Sequence, residues 1–277
     1  NVAKAVDYLR RASKQAVERS AYSEAAADLK AAITFAGRLP EGPDRLRIEL
    51  ALHTTDGSVT TVLHGIGSHE REHALTRTCE ISERLGDTVS LLRGSIFLSL
   101  LYIARGDPIR ARETCSRHLK LAEQSGVEEI LAPAHWIIGL STFFSGDLNE
   151  TRRLSREWLG RFEAASQGAF PINLPAEILG HTAQAVHLLG GISEALKLGQ
   201  ESLERARMLK QPFTLGMVLI TVGWLYQVRR EPETVCEIAE AAMAIGEEHG
   251  FPEWLEWGRW LHGWALAELG DIERGVA

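Results

Sequence analysis

No stretch of this sequence approaches the roughly 18 consecutive apolar residues of a membrane-crossing helix, so no bilayer span is expected. Cysteine is scarce: Cys79, Cys115 and Cys236 lie far apart with no Cys-x-x-Cys spacing. That excludes a disulfide framework and points to a reducing cytoplasm. Each of the three falls inside an amphipathic helical pattern, the usual setting of a small core hydrophobe. Clustered positive charge is also missing. The 30 Lys and Arg are interspersed among 37 Asp and Glu, for a net charge of -7, whereas a nucleic-acid surface needs concentrated cations to displace phosphate counterions. There is no GxxxxGK[ST] loop, and Gly65-Ile66-Gly67 runs into Ser68-His69-Glu70 rather than into a phosphate cradle. There is no Gly-x-Ser-x-Gly elbow either. Nucleotide chemistry and elbow-type serine hydrolysis are therefore not expected in this segment, and no cofactor is expected. No stretch alternates apolar and polar residues with period two, so no strand is predicted. The opening residues, Asn1-Val2-Ala3-Lys4, include no methionine and no secretory signal pattern.

What remains is ordinary folding material. Apolar residues make up 45% and charged residues 24% of 277, a composition that can bury a core and does not suit a disordered chain. Inside it a phrase recurs: Arg105-Gly106-Asp107-Pro108, Ser145-Gly146-Asp147-Leu148 and Leu269-Gly270-Asp271-Ile272. Weaker copies are Gly190-Gly191-Ile192, Arg230-Glu231-Pro232 and Ser20-Ala21-Tyr22. The turn positions 20, 106, 146, 190, 230 and 270 give later steps of 40, 44, 40 and 40 residues. The gap of 86 from 20 to 106 leaves room for one more unit, with its turn near His69. Glycine ends a helix because it takes the left-handed conformation without a Cβ clash, and Asp or Pro then opens the next helix by capping or by a preset φ.

The packing between paired helices is written in the same register. Five residues after each turn stands a mostly small side chain: Ala25, Ala74, Ala111, Thr151, Ala195 and Gly275, with Val235 the exception. Seven before each turn stands another: Ser13, Ser99, Gly139, Ala183, Gly223 and Gly263, with Val62 the exception. Facing small residues let two helices approach closely, a sufficient reason for mid-helix glycine. Leu91 to Ile103 is apolar nearly all round, as expected of a helix buried between neighbours, whereas Arg110 to Glu123 and Glu150 to Glu163 are more polar.

Paired helices, Gly-Asp turns and small residues on both sides resemble tetratricopeptide (TPR) repeats, with a unit nearer 40 than the usual ~34 residues. The resemblance covers nearly the whole chain and implies an all-α, right-handed superhelical solenoid. Its roughly seven hairpins would span 3–40, 45–86, 88–126, 128–167, 175–210, 212–250 and 252–277. Units of this length resemble the C-terminal solenoids of bacterial signal-transduction ATPases, linked to cyclases or related to the maltose regulator. Phrases carrying that resemblance are Ala5-Val6-Asp7-Tyr8-Leu9-Arg10-Arg11-Ala12, Ala122-Glu123-Gln124-Ser125-Gly126, Glu248-His249-Gly250-Phe251-Pro252 and Gly263-Trp264-Ala265-Leu266. The stretch from 45 to 85 departs most from the pattern. A start within a helix and an end at Ala277 suggest an excised part of a longer protein.

Two features carry candidate chemistry. His69-Glu70-Arg71-Glu72-His73 matches HExxH, which on a helix presents two imidazoles to zinc with a glutamate as general base. A zinc hydrolase would also need a third ligand and a strand edge for an extended peptide. The competing reading is two histidines in the charged first turn of a repeat helix. Tryptophan is the second feature, because five of the seven share one register. The TPR resemblance implies that positions 13, 10, 6 and 3 before each turn line a concave groove. Those positions include Pro133, Trp136, Leu140 and Phe143; Met217, Ile220, Trp224 and Gln227; and Trp257, Trp260, Trp264 and Ala267. Arg93, Glu177, Gln184 and His187 are its polar members. An aromatic groove with a few charges suits a protein partner, a partner helix or a small apolar effector. In a tightly wound solenoid the same positions would be core.

The expected function is a non-catalytic interaction or sensing module. It would act on other domains of its own parent chain: an ATPase, a cyclase or a DNA-binding domain. The rival is a spacer or self-association surface, which would make the protein a homo-oligomer.

Overall fold

The computed structural model describes residues 2–19, 21–125, 131–165 and 173–276. Asn1, Ser20, Gly126 and Ala277, all used in the sequence reading, lie outside the described residues, as do the hairpin limits at 128 and 167. Among the described residues every regular element is a helix, and none is long and apolar enough to cross a membrane. The chain divides into two compact units, Asn1–Ser141 and Thr142–Ala277.

In the first unit, α1 (Val2–Glu18) packs on α2 (Tyr22–Ala36), α3 (Pro43–His64) on α4 (His69–Leu85), and α5 (Thr88–Ala104) on α6 (Pro108–Ser125). Contacts of α2 with α3 and of α4 with α5 join the hairpins. The core runs through Val6, Leu29, Leu52 and Val59, with a second cluster at Leu75, Leu98, Leu101 and Tyr102. Helix α7 (Leu131–Phe144) contains the division between the units.

The second unit holds α8 (Leu148–Ala165), α9 (Leu174–Leu188), α10 (Ile192–Met208), α11 (Pro212–Val228), α12 (Pro232–His249), α13 (Pro252–Glu268) and the short α14 (Ile272–Gly275). Helix α9 packs on α10, and α12 packs on both α11 and α13. The opening helices also touch in succession, α9 against α11 and α11 against α13. A row of three helices results, with partners behind it. Helix α9 is buried all along Leu174–Val186, and α11 is buried from Val218 to Gly223. Helices covered on several sides must be apolar all round.

The turns behave as their chemistry requires. Gly106, Gly146, Gly190 and Gly270 have φ of 75°, 81°, 89° and 96°. Asp107, Asp147 and Asp271 accept the backbone N–H three residues on, at 3.0, 3.2 and 3.3 Å. At the fifth turn, which has no glycine, Arg230 takes the left-handed conformation itself, with φ of 61°. The facing small residues meet: Ser99 Oγ donates to the carbonyl of Ala111 at 2.9 Å. A Cβ on Gly263 would stand 2.6 Å from the Gly275 carbonyl oxygen.

Candidate recognition surface on the second unit

Helices α11 and α13 lie side by side because small residues bring them together. A Cβ on Gly223 would meet Leu261 at 2.8 Å, and one on Gly216 would meet the Trp254 ring at 2.6 Å. Trp254 is therefore core, held between Gly216 and Phe213, whose ring centroid is 4.9 Å away. Trp257 lies three residues further along α13, about 60° around the helix. It meets Trp224 of α11 edge-to-face at 5.4 Å, and Trp260 continues the run at 6.0 Å from Trp257. Trp257 is 44% and Trp260 52% exposed, although both are large and apolar. Trp224 is half-buried, and its indole Nε1–H is buried with no hydrogen-bond partner. Trp264 and Met217 are partly buried against the core of this unit, and Gln227 is also half-buried.

Further along the row, Glu177 of α9 is only 1% exposed. Its carboxylate accepts from the Thr221 hydroxyl at 3.2 Å and lies 3.0 Å from His181 Nδ1. Gln184 donates to the Thr221 carbonyl at 2.7 Å. These contacts tie α9 to α11 through polar groups that would otherwise be expensive to bury. His187 is half-buried, with Nδ1 lacking a hydrogen-bond partner. Burial, helped by the charge of Arg229 and opposed by Glu231, lowers its pKa. Phe143 packs edge-to-face on Phe144 and on His181, at 5.3 and 5.4 Å.

The remaining sequence candidates belong to the first unit. Arg93 is exposed on α5. Trp136 and Leu140 are core residues, 3% and 8% exposed. At the HExxH sequence, Ser68 caps α4, its hydroxyl accepting from Arg71 N at 3.3 Å. The His69 side chain is 93% exposed, and the His73 ring faces His53 at 6.3 Å. Arg105 reaches back across the hairpins to Glu72 at 2.5 Å, and its Nη2 lies 3.5 Å from His69 Nδ1. Burial alone would raise the Glu72 carboxyl. The hydrogen bond and charge of Arg105, the Tyr102 hydroxyl and Arg110 outweigh it and hold the group below the usual carboxylate range. Arg110 in turn stacks on the Tyr102 ring at 4.1 Å. Among the described residues, His69 and His73 join no group of three potential metal ligands. Sequence reading missed this Glu72-centred network, because Arg105 is 33 residues away from it.

The class of protein follows from the helical hairpins and the Gly-Asp turns: a TPR-like helical-repeat region. The structure resembles several solved ones. The apo form of RapI aligns with 97% of this chain and 99% of its own, at 12% identity and a TM-score of 0.69. The apo quorum sensor NprR from B. thuringiensis aligns with 100% of this chain and 74% of its own, at 12% identity and a TM-score of 0.69. A Signal Transduction ATPase with Numerous Domains with a tetratricopeptide repeat sensor, from Pyrococcus horikoshii, aligns with 96% of this chain at 15% identity and a TM-score of 0.59. The present chain spans 39% of that protein. No family model matches the sequence, and no curated protein matches it closely enough to count as a relative. The shared property is the fold.

Proposed function

We propose that this chain is a non-catalytic recognition module, and that Trp224, Trp257 and Trp260 take up a protein partner or a small apolar effector. The carrying observation is the edge-to-face tryptophan run with two members about half exposed. Covering both exposed rings would remove roughly 200 Å² of apolar surface, worth about 5 kcal/mol before the entropy of association is subtracted. Met217, Gln227 and Trp264 flank the run, with His187 and Phe143 as further candidates on the second unit and Arg93 as a separate candidate on the first. Two similar structures are described as a quorum sensor and as an ATPase with a TPR sensor, which supports a sensing role. In that reading the module works in the bacterial cytoplasm. It biases an attached ATPase, cyclase or DNA-binding domain through different affinity for two states of the parent.

Full-length parent protein, wild type and Trp257→Ala/Trp260→Ala, should be compared for co-purifying partners and effectors. Both rings are about half buried and pack edge-to-face, so the substitutions should lower the melting temperature moderately, and circular dichroism establishes that the variant is folded. Binding should weaken at least tenfold. Retention of every binding partner at full strength would refute the assignment. The same exposed rings also favour a second reading, self-association. Light scattering separates the two, since a dimer that vanishes in the double variant would favour the second.

A further inference from the structure

Cys236 and Glu240 stand one helical turn apart on α12, and His262 faces them from α13. Side chains four residues apart share a helix face, so two ligand types meet a third across the closely packed α12–α13 pair. The Cys236 Sγ to Glu240 Oε1 distance is 3.8 Å, and His262 Nε2 to Glu240 Oε1 is 3.5 Å. All three ligand atoms lie within 4.8 Å of one another. A tetrahedral zinc ion, with bonds of about 2.3 Å to sulfur and about 2.0 Å to nitrogen and oxygen, sets those separations at about 3.5 and 3.3 Å. The two separations from Glu240 thus need to close by only a few tenths of an ångström, while Cys236 Sγ and His262 Nε2, which lie within 4.8 Å of each other, must draw together to about 3.5 Å. Among the described residues this is the one group of three potential ligands.

We propose that Cys236, Glu240 and His262 form a binding site for a borderline-soft divalent cation of the zinc class, with the fourth position open to water or to a group from a partner. The donor set argues for this class. A thiolate, an imidazole and a carboxylate suit zinc and disfavour magnesium and calcium, which take oxygen ligands. Thiolate and carboxylate together neutralise the dication, so the loaded site carries no net charge. Binding breaks the Cys236 S–H bond and forms a sulfur–metal bond, the proton passing to solvent. Cys79 and Cys115 are poor competitors, because burial pushes their thiols up to about 11 and about 12. His262 lies about 140° around α13 from Trp257. The site therefore stands apart from the recognition surface and does not depend on it.

Cobalt(II) is the probe, titrated into the purified full chain under reducing conditions. One equivalent should produce a thiolate-to-cobalt charge-transfer band, and zinc should abolish it. Cys236→Ser should lose the band. His262→Ala should weaken affinity at least tenfold, while His69→Ala/His73→Ala leaves it unchanged. Circular dichroism of each variant establishes that it is folded. Absence of the band in folded wild type overturns the proposal, as does its survival in Cys236→Ser or undiminished affinity in His262→Ala.

Discussion

Substituting alanine at two helical glycines should change stability in opposite directions. Gly246 is buried late in α12, where the chain turns into α13. A Cβ there would lie 2.7 Å from the Leu255 backbone nitrogen and 3.0 Å from both Leu255 Cβ and the Phe251 carbonyl oxygen. Two of the three obstacles are backbone, so no rotamer change relieves them. The Gly246 carbonyl also accepts from Phe251 N at 2.9 Å, pinning the same turn. Overpacking of this kind costs about 1–3 kcal/mol, and rigid obstacles place it near the upper end. Replacing glycine by alanine within a helix returns about 1 kcal/mol. The net effect of Gly246→Ala is a loss of about 1–2 kcal/mol, or roughly 2–8 °C in melting temperature for a chain of this size. Gly160, in α8, is exposed and has no atom within 4 Å of an added Cβ. Gly160→Ala should therefore stabilise by up to about 1 kcal/mol. Urea denaturation of both variants beside wild type measures the signs. A Gly246→Ala protein as stable as wild type would show that close backbone approach is not why glycine stands there.

Two further effects test the packing elsewhere. His53 is buried, and burial, aided by the charges of Arg77 and His73 and opposed by Glu49 and Glu80, lowers its pKa to about 4. The native state holds this ring neutral, while the unfolded chain protonates it near pH 6.5. Its contribution is therefore complete above about pH 6.5, falls as the pH drops toward 4, and levels off below. The full shift corresponds to about 3 kcal/mol, and solvent screening reduces it to about 2. Denaturation midpoints at pH 7 and pH 4 should thus converge for His53→Leu relative to wild type; parallel pH profiles would contradict this. At the fifth turn, Arg230→Gly should relieve a left-handed strain of about 1–2 kcal/mol, against an entropic loss of about 0.5–1. The exposed Arg230–Glu268 pair, at 2.8 Å, contributes little. The net gain is up to about 1 kcal/mol by thermal melting, and a destabilised variant would refute the turn argument.

The hairpin pattern was legible because its determinants are local. Gly106, Gly146 and Gly270 sit where backbone chemistry alone demands them, and the small pair Gly263 and Gly275 stands at fixed offsets from one turn. What sequence could not resolve were properties set by distant neighbours. Arg230 shows that a turn keeps its geometry without glycine when both flanking helices are held by the core. Trp136, Trp257 and Trp260 share one register in the sequence, yet the first is core and the other two are about half exposed. Glu177 reads as a polar groove position until Thr221, 44 residues on, is seen to take its carboxylate. Cys236 reads as a small core hydrophobe, whereas the structure leaves it partly exposed beside His262 of the next helix.

Long-range polar contacts also bear on how a repeat fold keeps reactive groups quiet. In the first unit, Ser95 Oγ is hydrogen-bonded to His118 Nδ1, and His118 Nε2 lies 3.7 Å from Glu83 Oε1. The order hydroxyl, imidazole, carboxylate is that of an activated nucleophile. Yet Ser95 is 0% and His118 7% exposed. The serine hydroxyl also lies 2.8 Å from the Leu91 carbonyl of its own helix. No substrate atom could approach within bonding distance of Ser95 without separating α5 from α6. Burial also lowers the His118 pKa, against the pull of Glu83. The assembly therefore stitches helices together, as Glu177 and Thr221 do in the second unit. A stack of hairpins buries successive helices against one another and uses polar groups as ties. The large rings it leaves partly uncovered on α13 are Trp257 and Trp260, the ones proposed above to take up a partner.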